Sequence, residues 1–283
     1  MPAITTNIAA NSAVRYLNIN SNQETSALSK LSSGSRITSA SDDAAGLAIS
    51  TRISSDVTAL QQAATNAAQA NAILQTADGG ASNISDILAR MKSLASESAS
   101  GTTVDSSRAY INSEFLQLSS EIDSIAAGTR YSGQSLLDNN SPFNKIVAPA
   151  TTPGISVLVG SDASDTVTIA LSDLRSVTLF AAAAPKVDSQ ANATSALATL
   201  DTAINTVSAA RASIGALESR FNFSADSIQT QTQNLQAANS AIKDVDVAAE
   251  QALLSSAEVK TQAAVSAETA ANQMPQYLLK LLG

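Results

Sequence analysis

Residues 200–242 read LDTAINTVSAARASIGALESRFNFSADSIQTQTQNLQAANSAI, in which Leu200, Val207, Ile214, Phe221, Ile228, Leu235 and Ile242 stand seven residues apart. An α-helix turns once in about 3.6 residues, so a period of seven keeps these side chains on one face as a coiled-coil-type seam. Ala203, Ala210 and Leu217 run beside the seam, as do Ile204 and Arg211, so the apolar face is a single stripe. The spacing predicts one rod helix about 65 Å long.

Working upstream, Ile53, Leu60, Ala67 and Leu74 repeat at the same period, with Ile49, Ala63, Ala70 and Ala77 in a second row broken by Asp56. This predicts a second long helix ending at Asp78-Gly79-Gly80, since glycine is a common helix terminator. Ile84, Leu88, Met91 and Ala95 then begin a third, and Ile111, Phe115, Leu118, Ile122 and Ile125 alternate spacings of four and three. The sum is a bundle of long helices.

The middle of the chain changes period. Ile155, Val157 and Val159, then Val167, Ile169 and Leu171, alternate with other residues on either side of Ser161-Asp162-Ala163-Ser164, the pattern of a β-hairpin. Pro142, Pro149, Pro153 and Pro185 bracket it and discourage helix.

The extreme ends carry weaker rows. Val14 with Leu28, and Leu17 with Leu31, are two heptads apart before Gly34 offers a stop, but the asparagines at 7, 11, 18, 20 and 22 make this helix poor in isolation. At the other end Ala257, Ala264, Ala271 and Leu278 repeat at seven, and Pro275 interrupts. Leu278, Leu279, Leu281 and Leu282 form a last turn apolar enough to need a partner.

Composition excludes much chemistry. The 283 residues are 44% hydrophobic but only 3% aromatic and 14% charged, with no tryptophan, so the core is built of small and aliphatic side chains. Cysteine and histidine are absent, which removes disulfides, thiol nucleophiles, Cys/His zinc sites and imidazole triads. A net charge of -8 is the wrong sign for a nucleic-acid surface. The longest apolar run, Leu179–Ala184, is far short of the roughly 20 residues of a membrane span. MPAITTNIAANSAVR has no basic residue before Arg15 and no apolar block, so it does not read as a Sec signal peptide. Asp42 with Asp43, and Asp244 with Asp246, have no convergent partner for metal or acid–base work. Ser39 or Ser41 is expected to cap a helix whose first turn holds Asp42 and Asp43.

The stretch KLSSGSRITSASDDAAGLAISTRI (Lys30–Ile53) resembles the amino-terminal signature of bacterial flagellin. The resemblance continues through QANAILQTADGG (Gln69–Gly80), TRYSGQSLLD (Thr129–Asp138), ARASIGALESRF (Ala210–Phe221), AIKDVDVAAE (Ala241–Glu250) and NQMPQYLLKLLG (Asn272–Gly283). It implies a mainly α fold: a long antiparallel bundle or coiled-coil rod with a small β-hairpin region, plus paired terminal helices. The expected domains are an inner helical pair, 1–44 with 247–283, and a rod, 45–246, with the hairpin region at about 140–180. Only about 50 residues separate Asp138 from the helix near Gln190, so the chain resembles a short flagellin without large outer domains.

The same resemblance implies a structural, non-enzymatic subunit with no cofactor, metal or catalytic residue. Its principal partner is itself, as a helical homopolymer forming the motility filament. The flagellar export apparatus and a chaperone, hook-associated and cap proteins, and a host Toll-like receptor are further implied partners, with delivery outside the cell through the flagellar type III channel. Arg90 and Leu94 in LARMKSL and Glu114 in SEFLQLSSEID match a receptor-recognition pattern of the family and also fall in its filament contacts. Equally, Leu94 reads as bundle core and Arg90 and Glu114 as solvated charges. Two alternatives carry similar ends or heptads: a hook-associated junction protein and a cell-surface coiled-coil binding module.

Overall fold

The computed structural model describes residues 7–144, 154–181 and 185–282, the side chains only as far as 274 in the last helix. It is mainly α, with two small antiparallel two-stranded sheets. The helices are α1 (Ile8–Ser33), α2 (Ala44–Ala99), α3 (Asp105–Gly128), α4 (Ser176–Leu179), α5 (Gln190–Lys243) and α6 (Val247–Leu282). The strands are β1 (Arg130–Tyr131), β2 (Gln134–Ser135), β3 (Ile155–Leu158) and β4 (Thr166–Ile169). The described chain forms two compact units, one of residues 1–57 with 233–283 and one of 58–232.

In the second unit the core is continuous along the helices. From α2 it takes Ala67, Ala70, Leu74, Ala77, Ala81, Ile84, Leu88, Met91 and Ala95, and from α5 Leu200, Val207, Ile214 and Phe221. Phe115 and Ile122 of α3 fill the space beside them. α2 does not end at 78–80 as expected. Its spacing of three and four runs in phase from Ala67 to Met91, so ending the helix would throw half the stripe out of the core. That burial outweighs about 1 kcal/mol lost per glycine. Gly80 has a packing role instead: a Cβ there would overlap the side chain of Thr129 and sit 2.9 Å from Leu137 Cδ1.

The expected hairpin is present, with Ile155 opposite Ile169 and Val157 opposite Val167. Val167 and Ile169 point into the core, while Thr166 and Thr168 face outward. The second hairpin, β1–β2, turns through Ser132 and Gly133, both at positive φ, the geometry of a two-residue type I′ turn. Its strands are too short to leave a period in the sequence. Two backbone bonds stitch the intervening segment down, Leu171 N–H to the Phe143 carbonyl at 3.2 Å and Leu174 N–H to that of Leu137 at 2.9 Å.

In the first unit α1 lies along α6. Gly34, in the left-handed conformation, ends α1 as expected. Capping of α2 differs from expectation. Asp43 is the cap, its Oδ1 accepting from Gly46 N–H at 2.9 Å. Asp42 lies before the helix and gathers Thr38 N–H, Ser39 N–H and the Thr38 hydroxyl. The Asp43 carboxylate, immediately before the helix, competes better for its free N–H groups than the serines two and four residues further back. Asp246 caps α6 in the same way, accepting from Ala248 and Ala249 N–H.

Candidate assembly surfaces

Between α1 and α6 the inward line is Ala10, Ala13, Leu17, Asn20, Glu24, Ala27 and Leu31 against Glu250, Leu254, Ala257, Thr261, Ala264, Glu268 and Ala271, buried or half-buried throughout. Glu24 Oε2 accepts from the Thr261 hydroxyl at 3.4 Å, and Lys30 Nζ stands 4.0 Å from Glu250 Oε1. This seam is small and partly polar. Most of the bulkier apolar side chains lie outside it: Ile8, Val14, Tyr16, Ile19 and Leu28 on α1, and Val247, Leu253, Val259, Val265 and Met274 on α6 are all exposed. Of the expected α1 assembly residues, Leu17 and Leu31 therefore face α6, and Val14 and Leu28 face away. The side chains of Leu278, Leu279, Leu281 and Leu282 lie outside the described residues.

Both ends of the α1–α6 pair carry specific polar joints. Asn7 caps α1 by accepting from Ala10 N–H at 3.1 Å, and its Nδ2 donates to the Ala271 carbonyl at 2.8 Å. α6 continues past Pro275, contrary to the expected interruption. Proline lacks the N–H that the carbonyl four residues earlier needs, and that carbonyl belongs to Ala271. Asn7 supplies the missing donor. At the other end Ser35 and Asp244 form an antiparallel bridge, with Arg36 N–H donating to the Lys243 carbonyl at 2.6 Å and Val245 N–H to that of Gly34 at 3.2 Å. Arg36 Nη2 also donates to the Ile242 carbonyl at 2.7 Å, and Ser35 Oγ to that of Lys243 at 3.2 Å. The last carbonyls of α5 are thus satisfied from the opposite chain end. Sequence reasoning missed Asn7 and Arg36, because nothing local marks two residues that act more than 200 positions away.

In the second unit Arg90, Leu94 and Glu114 come together on α2 and α3. The Arg90 guanidinium binds Glu114 Oε1 through Nε at 3.0 Å and Nη2 at 2.6 Å, both side chains about half exposed. Leu94 is 2% exposed and belongs to the core. Of the α5 seam, Leu200, Val207, Ile214, Phe221 and Ile228 are buried, and Leu235 and Ile242 are half-buried.

Four groups have shifted ionisation, among them the Arg175 guanidinium, which its hydrogen bonds to Asp173 lift above its ordinary value. The Thr38 hydroxyl and the Ser39 and Thr38 N–H groups pull Asp42 from 3.8 to about 2. Burial raises Asp173, but bonds from Arg175 and Thr178 outweigh it and leave the carboxyl below its usual range. The Asp78 carboxylate, bonded at 2.9 and 3.3 Å, lifts the Arg211 guanidinium further above its ordinary value. Asp42 is held by a hydrogen-bonded turn, and the other shifts come from the structural ion pairs Asp173–Arg175 and Asp78–Arg211. Among the described residues no cluster of acidic side chains could hold a metal, and no helix is long and apolar enough to cross a membrane.

Long helices with both chain ends packed together, and apolar side chains left outside, are the anatomy of a structural protein. Residues 4–141 match the bacterial flagellin N-terminal helical region, and residues 197–282 match the C-terminal helical region. A flagellin of Halalkalibacterium halodurans is 36% identical over 98% of both chains, and one of Listeria monocytogenes is 33% identical over 99% of both. A solved Vibrio parahaemolyticus chain, provisionally assigned as a flagellar hook-associated protein, is 14% identical with a TM-score of 0.58, covering 72% of this chain and all of that one. That likeness is one of fold. The chain belongs to the bacterial flagellin family: it is a structural subunit of the extracellular flagellar filament, a polymer of itself that serves motility, and not an enzyme.

Proposed function

We propose that the two chain ends, 1–44 and 247–283, form the inner layer of the filament, and that 45–246 form a rod layer held by the α5 seam. The carrying observation is the distribution of side chains on α1 and α6, with alanines, a few leucines and polar groups in the seam and most of the larger aliphatics outside. Each such side chain is worth about 1.5–3 kcal/mol when buried. Val14 and Leu28, exposed in the single subunit, are then covered by neighbouring subunits, and the leucines at 278, 279, 281 and 282 join them. The chain travels unfolded through the flagellar type III channel with a chaperone, and meets hook-associated and cap proteins at the filament's ends. Limited proteolysis tests the reading: it should leave a helical fragment of roughly 45–245 that no longer polymerises. A fragment that still builds filaments rejects it.

Arg90 and Glu114 offer a polar contact patch on the rod, with Leu94 beneath it holding α2 in place. The same patch is the surface we assign to a host Toll-like receptor, accessible on the monomer and covered in the filament. The test is signalling by monomer against intact filament. Equal potency per subunit removes the assignment.

A further inference from the structure

We propose that Asn7 and Arg36 are positioning residues that set the register of α1 on α6, and so the geometry of the apolar surface those helices present. The inference rests on the reading that these helices build the filament core. Alanine fills six of the fourteen inward positions, Ala10, Ala13 and Ala27 on α1 and Ala257, Ala264 and Ala271 on α6, and along that α6 row a slip by a heptad exchanges one alanine for another, so its small side chains specify register poorly. Polar joints do not, since a slip leaves donors and acceptors without partners.

The two joints sit at opposite ends of α1. Asn7 is fitted to a single carbonyl of α6, the one that Pro275 deprives of its helical donor, so a slip by one turn would place its amide beside a carbonyl already bonded within the helix. The Arg36 joint fixes the other end with a charge-assisted bond to Ile242 and the paired backbone bonds around Ser35 and Asp244. Between them, among the described residues, the directional contacts are the 4.0 Å Lys30–Glu250 pair and the 3.4 Å Thr261–Glu24 bond, and both are weaker by distance.

The pairing makes the proposal testable by suppression. In the full chain, Asn7→Ala should raise amide exchange in both α1 and α6 by about tenfold and raise the critical concentration for polymerisation similarly, while exchange in residues 58–232 stays unchanged. Pro275→Ala restores an N–H to the Ala271 carbonyl and should make the Asn7 amide dispensable to α6, so in the double variant the exchange defect should shrink to the first turn of α1, where the cap on Ala10 N–H is still missing. Arg36→Ala should act at the other end, with partial rescue by Arg36→Lys. Since the chain has no cysteine, Ser35→Cys with Asp244→Cys gives one defined cross-link, whose narrow-pair geometry suits a disulfide. Its oxidised form should restore protection and assembly to Arg36→Ala, and reduction should remove both. Unchanged exchange and assembly in Asn7→Ala and Arg36→Ala would overturn the proposal, as would an Asn7→Ala defect undiminished by Pro275→Ala. A cross-linked chain whose ends are protected yet fails to polymerise supports the register role and rejects the assembly reading.

Discussion

Arg90 and Glu114 share one oxygen: both Nε and Nη2 of the arginine bond Oε1 of the glutamate. Since both side chains are about half in water, the pair should contribute little to the monomer, under about 1 kcal/mol after solvent screening. Arg90→Ala and Glu114→Ala should therefore leave thermal unfolding almost unmoved, and any loss of polymerisation or receptor signalling reports a contact. Leu94→Ala should instead lose about 2–5 kcal/mol as a core cavity. A double-mutant cycle on unfolding, with the Leu94 variant alongside, separates the two roles. A strong Arg90–Glu114 coupling in the isolated monomer would show the pair to be structural.

The adjacent glycines of α2 should respond in opposite directions. At Gly79 nothing lies within 4 Å of an added Cβ, so Gly79→Ala should stabilise by about 0.5–1 kcal/mol through helix propensity. At Gly80 the added methyl meets Thr129, whose hydroxyl is tied to the Ile125 carbonyl at 2.7 Å and cannot easily turn away. Gly80→Ala should cost about 1–3 kcal/mol despite the better propensity. Denaturant unfolding of the two variants checks the sign, and a stabilised Gly80→Ala would show that Thr129 has room to move.

The turn before α2 should survive well into acid. Asp42 has a folded pKa of about 2, below its ordinary 3.8, so its contribution is fully present above 3.8 and is lost as pH falls through about 2. Amide exchange over residues 38–46 should stay slow at pH 4 and accelerate near pH 2. Asp42→Asn should remove that pH dependence. An Asp42 carboxyl that titrates at its ordinary value in the folded chain would contradict the hydrogen bonds from Thr38 and Ser39.

What the sequence disclosed was whatever repeats. The seam from Leu200 to Ile228 and the alternation around Val157 and Val167 are periodic, so their burial could be read directly. The α1 row was legible only in part, because a fourteen-residue spacing selects Val14 and Leu28 as readily as Leu17 and Leu31. Gly79-Gly80 misled because the reasons for a glycine, termination or close approach, are indistinguishable until Thr129 is in place. The domain layers and the contact patch proposed above concern neighbouring subunits, which the period of one chain does not encode.

Arg108 left no signal in the sequence, yet it closes the turn between α2 and α3. It is 7% exposed, and its Nε donates to the Ser98 carbonyl at 2.9 Å, Nη2 to that of Ser100 at 2.9 Å, and Nη1 to Asp105 Oδ1 at 2.7 Å. The Ser98 carbonyl lies in the last turn of α2, where no helical N–H remains to serve it, and the Ser100 carbonyl just beyond also accepts from Thr103 N–H at 3.2 Å. Beside them the Ser98 hydroxyl donates to the Val187 carbonyl at 2.5 Å, so the same few residues also anchor the approach to α5. Arg108→Met keeps most of the volume but takes the arginine donor from the Ser98 carbonyl and leaves that of Ser100 only Thr103 N–H, and should cost about 1–3 kcal/mol. Arg108→Lys should recover only part of that, since one ammonium cannot span the fork that reaches Ser98, Ser100 and Asp105 together. Asp105→Ala should cost far less, because its carboxylate is almost fully in water. Unfolding by denaturant gives the three values, and amide exchange over residues 97–108 should rise in the order Asp105→Ala, Arg108→Lys, Arg108→Met. If Arg108→Met unfolds like the parent, the carbonyls are served by water and the arginine is not the closure.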